Sequence, residues 1–261
     1  MNSWKVVKTG KVPKLNKPVL IEGLPGIGNV GKVSVDFVVE ELKASKIFEL
    51  ISSSMPHSVF VNEQNLIELP TISVYFKKSK HHDFLFVAGD AQPIDEVSSY
   101  DFSQTVLELL KTFKGNEIIT LGGIGLPIIP KKPKVYCTGT SKEFVSKCIE
   151  NTSAEPRLYG IVGPIIGVSG LLLGLAKRQK MNAVSFLAET YGHPMYLGIR
   201  GAREIVKLLN SKFSMGINIK ELDYEIRELE EEAAKNSRML GMQKSTRGML
   251  GKRGQDATYI G

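Results

Sequence analysis

Residues 19-VLIEGLPGIGNVGKVSVDF-37 join an apolar run to a glycine-rich turn and the start of a helix. The run 19–22 reads as a short buried strand, and the spacing predicts a helix over 28–43. Val30, Val33, Phe37 and Leu42 supply its expected inward face. A strand, a tight turn and a helix in this order open a βα unit. The turn also carries chemistry. Gly26-Ile27-Gly28-Asn29-Val30-Gly31 fits the G-x-G-x-x-G spacing of dinucleotide sites, and Gly26 through Lys32 fits the G-x-x-x-x-G-K part of a phosphate loop. Glycines there let the backbone approach a phosphate while the helix N-terminus offers donors.

Neither fingerprint is complete. A phosphate loop needs Ser or Thr after its lysine to reach the metal, but Val33 stands there and Ser34 comes one position late. A dinucleotide site needs an acid at the end of the next strand. Glu49 lies inside that strand, ahead of Ile51-Ser52-Ser53-Ser54. Gly26, Gly28, Gly31 and Lys32 therefore remain a candidate ligand loop, with close packing of helix on sheet as the alternative reason for the glycines.

Outward from this unit, strands are predicted over 46–52, 58–62, 66–76, 84–88, 117–121, 135–137 and 183–189. Helices are predicted over 95–114, 141–150 and 169–179. The alternation gives an α/β domain with a three-layer, mixed, mostly parallel sheet of the phosphorylase or hydrolase kind. The strands between 58 and 88 follow one another without helices, so that section is expected to be antiparallel. Pro127, Pro130 and Pro133 mark a loop. Ile199, Ala202, Val206, Leu209 and Phe213, then Ile219, Leu222, Ile226 and Leu229, keep a three–four spacing around Gly216. That pattern predicts a C-terminal helical hairpin, packed either on the body or on a neighbouring subunit. The expected divisions are an α/β domain over 1–197, the hairpin over 198–241, and a flexible basic tail over 242–261. From Gly241 onward five glycines and few bulky apolar residues cannot offset the entropy of ordering. The tail still ends on the apolar tip Tyr259-Ile260-Gly261.

The totals narrow the function classes. The chain has 261 residues, enough for one large core, and a net charge of +7. A solvated basic surface accounts for that charge. No aromatic-rich basic motif points to nucleic acid, although the bases Lys244, Arg247, Lys252 and Arg253 give the tail a weak case for it. Cys137 and Cys148 lack metal or redox spacing and suit a reducing compartment. The N-terminus has no apolar leader, and the greasy stretch 161–176 is broken by Pro164 and four glycines, so the expectation is a cytoplasmic protein without a membrane span. His81-His82-Asp83 places adjacent imidazoles on opposite sides of a strand, and no metal is expected. Glu189 and His193 could form an acid/base pair or a structural hydrogen bond. No catalytic residue and no cofactor is assigned.

Four segments in this order resemble the proteasome assembly chaperone family, in its archaeal branch. They are Gly23-Leu24-Pro25-Gly26-Ile27-Gly28-Asn29-Val30-Gly31; Gly122-Gly123-Ile124-Gly125-Leu126-Pro127; Gly160 through Gly170 with Leu171-Leu172-Leu173; and Glu189-Thr190-Tyr191-Gly192. Together they span about residues 15–215. The resemblance implies a nucleoside-phosphorylase-like fold used for assembly rather than catalysis. It also implies homo-oligomers, a second chaperone subunit in some relatives, and binding to proteasome core α subunits. In the family a C-terminal hydrophobic–Tyr–any-residue tail enters pockets between those subunits. Here Tyr259 is third from the end, with Ile260 and Gly261 after it. A shift of one residue moves the terminal carboxylate by about 3.3 Å. Tyr259, Ile260 and Gly261 are thus the expected partner-binding residues, in an off-register form. The competing reading is a ligase- or phosphorylase-like enzyme that binds a nucleotide on the glycine loop.

Overall fold

A computed structural model of the chain describes residues 3–158, 160, 163–218 and, beyond these, 220, 223, 224, 226–228 and 231. The elements in chain order are β1 (Lys5–Lys8), β2 (Val19–Gly23), α1 (Val30–Glu41), β3 (Ser45–Ile51), β4 (Phe60–Val61), β5 (Ile67–Glu68), β6 (Ile72–Lys78), β7 (Asp83–Gly89), α2 (Glu96–Thr112), β8 (Glu117–Leu126), β9 (Val135–Gly139), α3 (Lys142–Ile149), α4 (Val168–Arg178), β10 (Asn182–Tyr191) and α5 (Ile199–Phe213).

Eight strands form one sheet in the order β1-β3-β6-β7-β2-β8-β10-β9. β7, β2, β8 and β10 pair in parallel at its centre. β6 pairs antiparallel with both β7 and β3, β1 antiparallel with β3, and β9 antiparallel with β10. β3, β7, β2, β8 and β10 consequently all point one way. This is the mixed, mostly parallel sheet that the alternation of elements predicts, and its antiparallel section falls where helices are lacking. The stretch 58–76 is more divided than expected. Pro70 separates β6 from a small β4–β5 hairpin that turns through Asn65 in the left-handed region, at φ 59°.

Side chains alternate across the sheet, so each face has its own core. Leu20, Ile118 and Ala183 face the helices α2 and α4 in one large cluster with Phe102, Val106, Leu110, Leu172 and Ala176. α1 and α5 pack together on the opposite face, against β8 and β10. Trp4 closes the edge of the first cluster. Its ring meets Phe102 at 4.7 Å, and its Nε1 donates to the Ser98 carbonyl at 3.0 Å.

Three sequence expectations are corrected. The buried row of α1 is Val30, Gly31, Ser34, Val35 and Val38, while Val33 and Phe37 are only partly covered. Gly31 sits so close to the Leu121 carbonyl that a Cβ would collide with it, and this contact sets the rotation of the helix. Gly122-Gly123-Ile124-Gly125 continues β8 rather than ending it, because β10 pairs with the strand as far as Leu126. β1 had no counterpart in the sequence reading.

The compact body runs on to Ile219, past the boundary expected at 197, because α5 covers the sheet beside α1. Lys220–Gly261 forms a second unit. In it Lys220, Asp223, Tyr224, Ile226, Arg227, Glu228 and Glu231 are helical. The rest of the expected hairpin, the tail and its tip Tyr259-Ile260-Gly261 lie outside the described residues.

Candidate functional site

β2 delivers the chain at Gly23 into the turn Leu24-Pro25-Gly26, a single 3-10 turn (Ile27–Asn29) and then α1. The glycines of this turn separate into two kinds. Gly28 has φ +61°, and a Cβ there would lie 2.7 Å from Thr190 Oγ1. Gly28 and Gly31 are therefore required by backbone geometry and close packing. Gly26 is different. Its φ of −164° is extended backbone, and a Cβ built on it meets nothing within 4 Å. Gly26 instead lines a cleft of about 580 Å³ at the C-terminal ends of β2 and β8.

The position of this cleft follows from topology. The chain leaves β2 through α1 for β3 on one side and leaves β8 for β9 on the other, so the neighbouring strands β2 and β8 diverge at their C-terminal ends and leave a crevice above them. Such switch points are where open α/β sheets bind ligands. The walls are mostly apolar, from Leu24, Ile27, Ile124, Ile165 and Leu187 among others. Among the described lining residues, Gln92 and Ser169 alone contribute polar side chains.

Those two side chains tie the cleft together. Gln92 Oε1 accepts from the Val168 amide at 3.0 Å, and its Nε2 donates to the Pro25 carbonyl. Ser169 Oγ donates at 2.9 Å to Glu22 Oε2, whose other oxygen accepts from the Leu24 amide at 3.0 Å. Glu22 is fully buried at the end of β2. Burial disfavours the charged carboxylate and pushes it up to about 7, against the two hydrogen bonds that favour ionisation.

Lys32, the lysine of the phosphate-loop pattern, does not line the cleft. Its ammonium pairs with Asp36 at 2.9 Å and Asp90 at 3.3 Å and donates to the Gly89 carbonyl. Burial works to lower it, but the two acids outweigh that effect and hold it above its usual range. The structure thus separates Lys32 from Gly26, and no cationic side chain replaces it among the described lining residues.

The other candidates have structural partners. Glu49 lies within β3 and pairs with Lys46 at 2.8 Å. Glu189 accepts from the Tyr136 hydroxyl at 3.2 Å and from the Lys134 amide at 3.0 Å. The His193 ring stacks on Tyr191 at 5.7 Å, and its Nδ1 accepts from the Met195 amide. His82 lies against Phe213, while Asp83 accepts from the Asn16 amide.

Sequence reasoning missed Glu22, Gln92 and Ser169. The signal for Glu22 was one acid closing an otherwise apolar strand; Gln92 and Ser169 join it only through folding.

The same architecture recurs in known proteins. The model of the PAC2 family matches residues 20–236. The chain belongs to the PAC2 family. This agrees with the resemblance carried by the four glycine-containing segments. Pyrococcus furiosus PbaB, an archaeal proteasome activator, is 31% identical, with a TM-score of 0.80 over 91% of this chain and 100% of that one. Pyrococcus furiosus PbaA, an archaeal homolog of proteasome-assembly chaperone, shares the fold at 23% identity, with a TM-score of 0.75 over 95% of this chain and 96% of its own. An uncharacterized protein of Methanocaldococcus jannaschii is 28% identical over 224 residues, which cover 86% of this chain and 84% of the relative. In this PAC2 chain, Gly23, Gly28 and Gly31 of the first motif serve close packing, and Gly26 and Gly31 border the cleft.

Proposed function

We propose that this PAC2 protein is a non-enzymatic partner of the proteasome core particle, acting in its assembly or activation in the manner of an assembly chaperone. The observation that carries this reading is the match to PbaB, a proteasome activator, at 31% identity over 91% of this chain and the whole of that one. The motifs that run through the chain add to it. The partner is the α-subunit ring, and contact is made partly through Tyr259, Ile260 and Gly261. The body works as a homo-oligomer, alone or with a second chaperone subunit, in the cytoplasm and without a membrane. No helix among the described residues is long and apolar enough to cross one.

The nucleotide reading loses its main support, because the lysine meant for phosphate is engaged by Asp36 and Asp90. The tail is tested by capturing purified proteasome α subunits on the full chain and on a chain ending at Gly254. The expected result is capture by the full chain and a loss of about tenfold in affinity on truncation, or roughly 1.4 kcal/mol. Equal capture by the two would remove the tail from the mechanism.

A further inference from the structure

We propose that the cleft above β2 and β8 is a binding site for a compact uncharged molecule presenting an N–H donor beside a carbonyl-type acceptor. That amide pattern is shared by nucleobases and peptide groups. The inference goes beyond the proteasome reading and does not rest on it.

Three independent features converge. The first is an open strand edge. The β2–β8 ladder ends with Glu22 opposite Thr120, whereas the β8–β10 ladder continues to Tyr191 opposite Leu126. From Gly122 onward β8 is paired on its β10 side. Among the described residues the one further backbone bond in this stretch runs from the Gly192 amide to the Leu126 carbonyl. Gly122, Gly123, Ile124 and Gly125 line the cleft. An unpaired edge offers alternating N–H and C=O groups, the complement of an amide.

The second feature is space without a structural reason. Gly26 and Gly163 both line the cleft, and among the described residues a Cβ at either meets nothing within 4 Å. Neither has a positive φ. Packing and backbone conformation therefore leave both positions free to carry a side chain, and what glycine preserves there is the volume of the cleft. That volume, about 580 Å³, lies within the range of roughly 300–1,000 Å³ found for small-ligand sites.

The third feature selects the charge. Among the described residues, the side chains lining the cleft include no acid and no base. Ser169 spends its proton on buried Glu22, so its oxygen is left to accept from a ligand donor. An anion would be desolvated with no cation to pair it, in front of an ionisable carboxyl. Apolar walls with a few convergent polar groups hold a neutral body by its edges.

The test is calorimetric titration of the full chain with adenosine, uridine and N-acetyl-leucine amide, with ATP as a charged counterpart of adenosine. At least one uncharged probe is expected to bind with Kd below about 1 mM. Gly26→Val should weaken it at least tenfold while moving Tm by no more than about 2 °C, and Ser169→Ala should also weaken it. Gly163→Val probes the opposite wall should Gly26→Val fail to fold. Binding of the nucleosides alone assigns a nucleobase, and binding of the amide alone assigns a peptide group. Silence from all uncharged probes at about 5 mM, tighter binding of ATP than of adenosine, or full affinity in both valine variants would overturn the proposal.

Discussion

Ser169 Oγ and Glu22 Oε2 are joined by a 2.9 Å hydrogen bond across 147 positions of sequence. The bond fastens the start of α4 to the end of β2 and so fixes two walls of the cleft. It also leaves an ionisable group inside the protein with no cation beside it among the described residues, a placement with a thermodynamic consequence.

The carboxyl of Glu22 sits at about 7 in the folded chain, against 4.5 in its ordinary state. The fold holds that proton more tightly than the unfolded chain does. The resulting stability is complete below about pH 4.5 and is lost as pH rises through about 7. Its size is at most between about 3 and 4 kcal/mol, for a rise from 4.5 to about 7 at roughly 1.4 kcal/mol per pH unit. Glu22→Gln is expected to flatten the stability profile between about pH 5 and 8 relative to the natural chain. Urea denaturation across that range checks it, and parallel profiles would contradict the burial argument.

The glycines of the first turn should respond unequally to alanine. Gly31→Ala is expected to cost about 1–3 kcal/mol, because its Cβ has no room beside the Leu121 carbonyl. Gly28→Ala adds a left-handed penalty of about 1–2 kcal/mol to its contact with Thr190. Gly26→Ala should stay within about 0.5 kcal/mol. Chemical denaturation of the three variants ranks them directly.

Helix α2 begins on a reciprocal cap. Asp95 accepts from the Ser98 amide at 2.8 Å, and the Ser98 hydroxyl accepts from the Asp95 amide at 3.4 Å. Asp95→Ala removes the stronger half and is expected to cost about 1 kcal/mol. Asp95→Asn should recover most of it, which thermal melts of both variants can show.

Cys137 and Cys148 are both buried free thiols. Burial pushes them up to about 12 and about 11, so neither is a thiolate near neutrality. An aromatic disulfide reagent at pH 8 should find almost no reactive thiol in the folded chain and two after unfolding. Rapid labelling of the native protein would show that this edge of the sheet opens.

Much of this architecture is legible in the sequence, because the central strands are apolar runs separated by helical spacing. The helices expected over 95–114 and 141–150 are found as α2 and α3, and the Ser141 hydroxyl caps the latter by accepting from the Phe144 amide. What resisted reading depends on contacts between distant segments. Val30, Val33, Val35, Val38 and Val39 give α1 apolar residues on more than one side, so periodicity alone could not choose the buried row. β1 is a four-residue strand exposed throughout, and its partner β3 supplies the evidence that it exists. Gly122 through Gly125 look like a turn until β10 is laid beside them. The site was legible only as a glycine pattern. That pattern includes Gly26, which lines the cleft, and Lys32, which instead pairs with Asp36 and Asp90.

Native mass spectrometry of the full chain mixed with proteasome α subunits tests the central claim most directly. The account predicts a discrete complex containing both proteins, with a mass that fixes the number of copies of each. Separate masses for the two, at concentrations where the α subunits form their own rings, would contradict it.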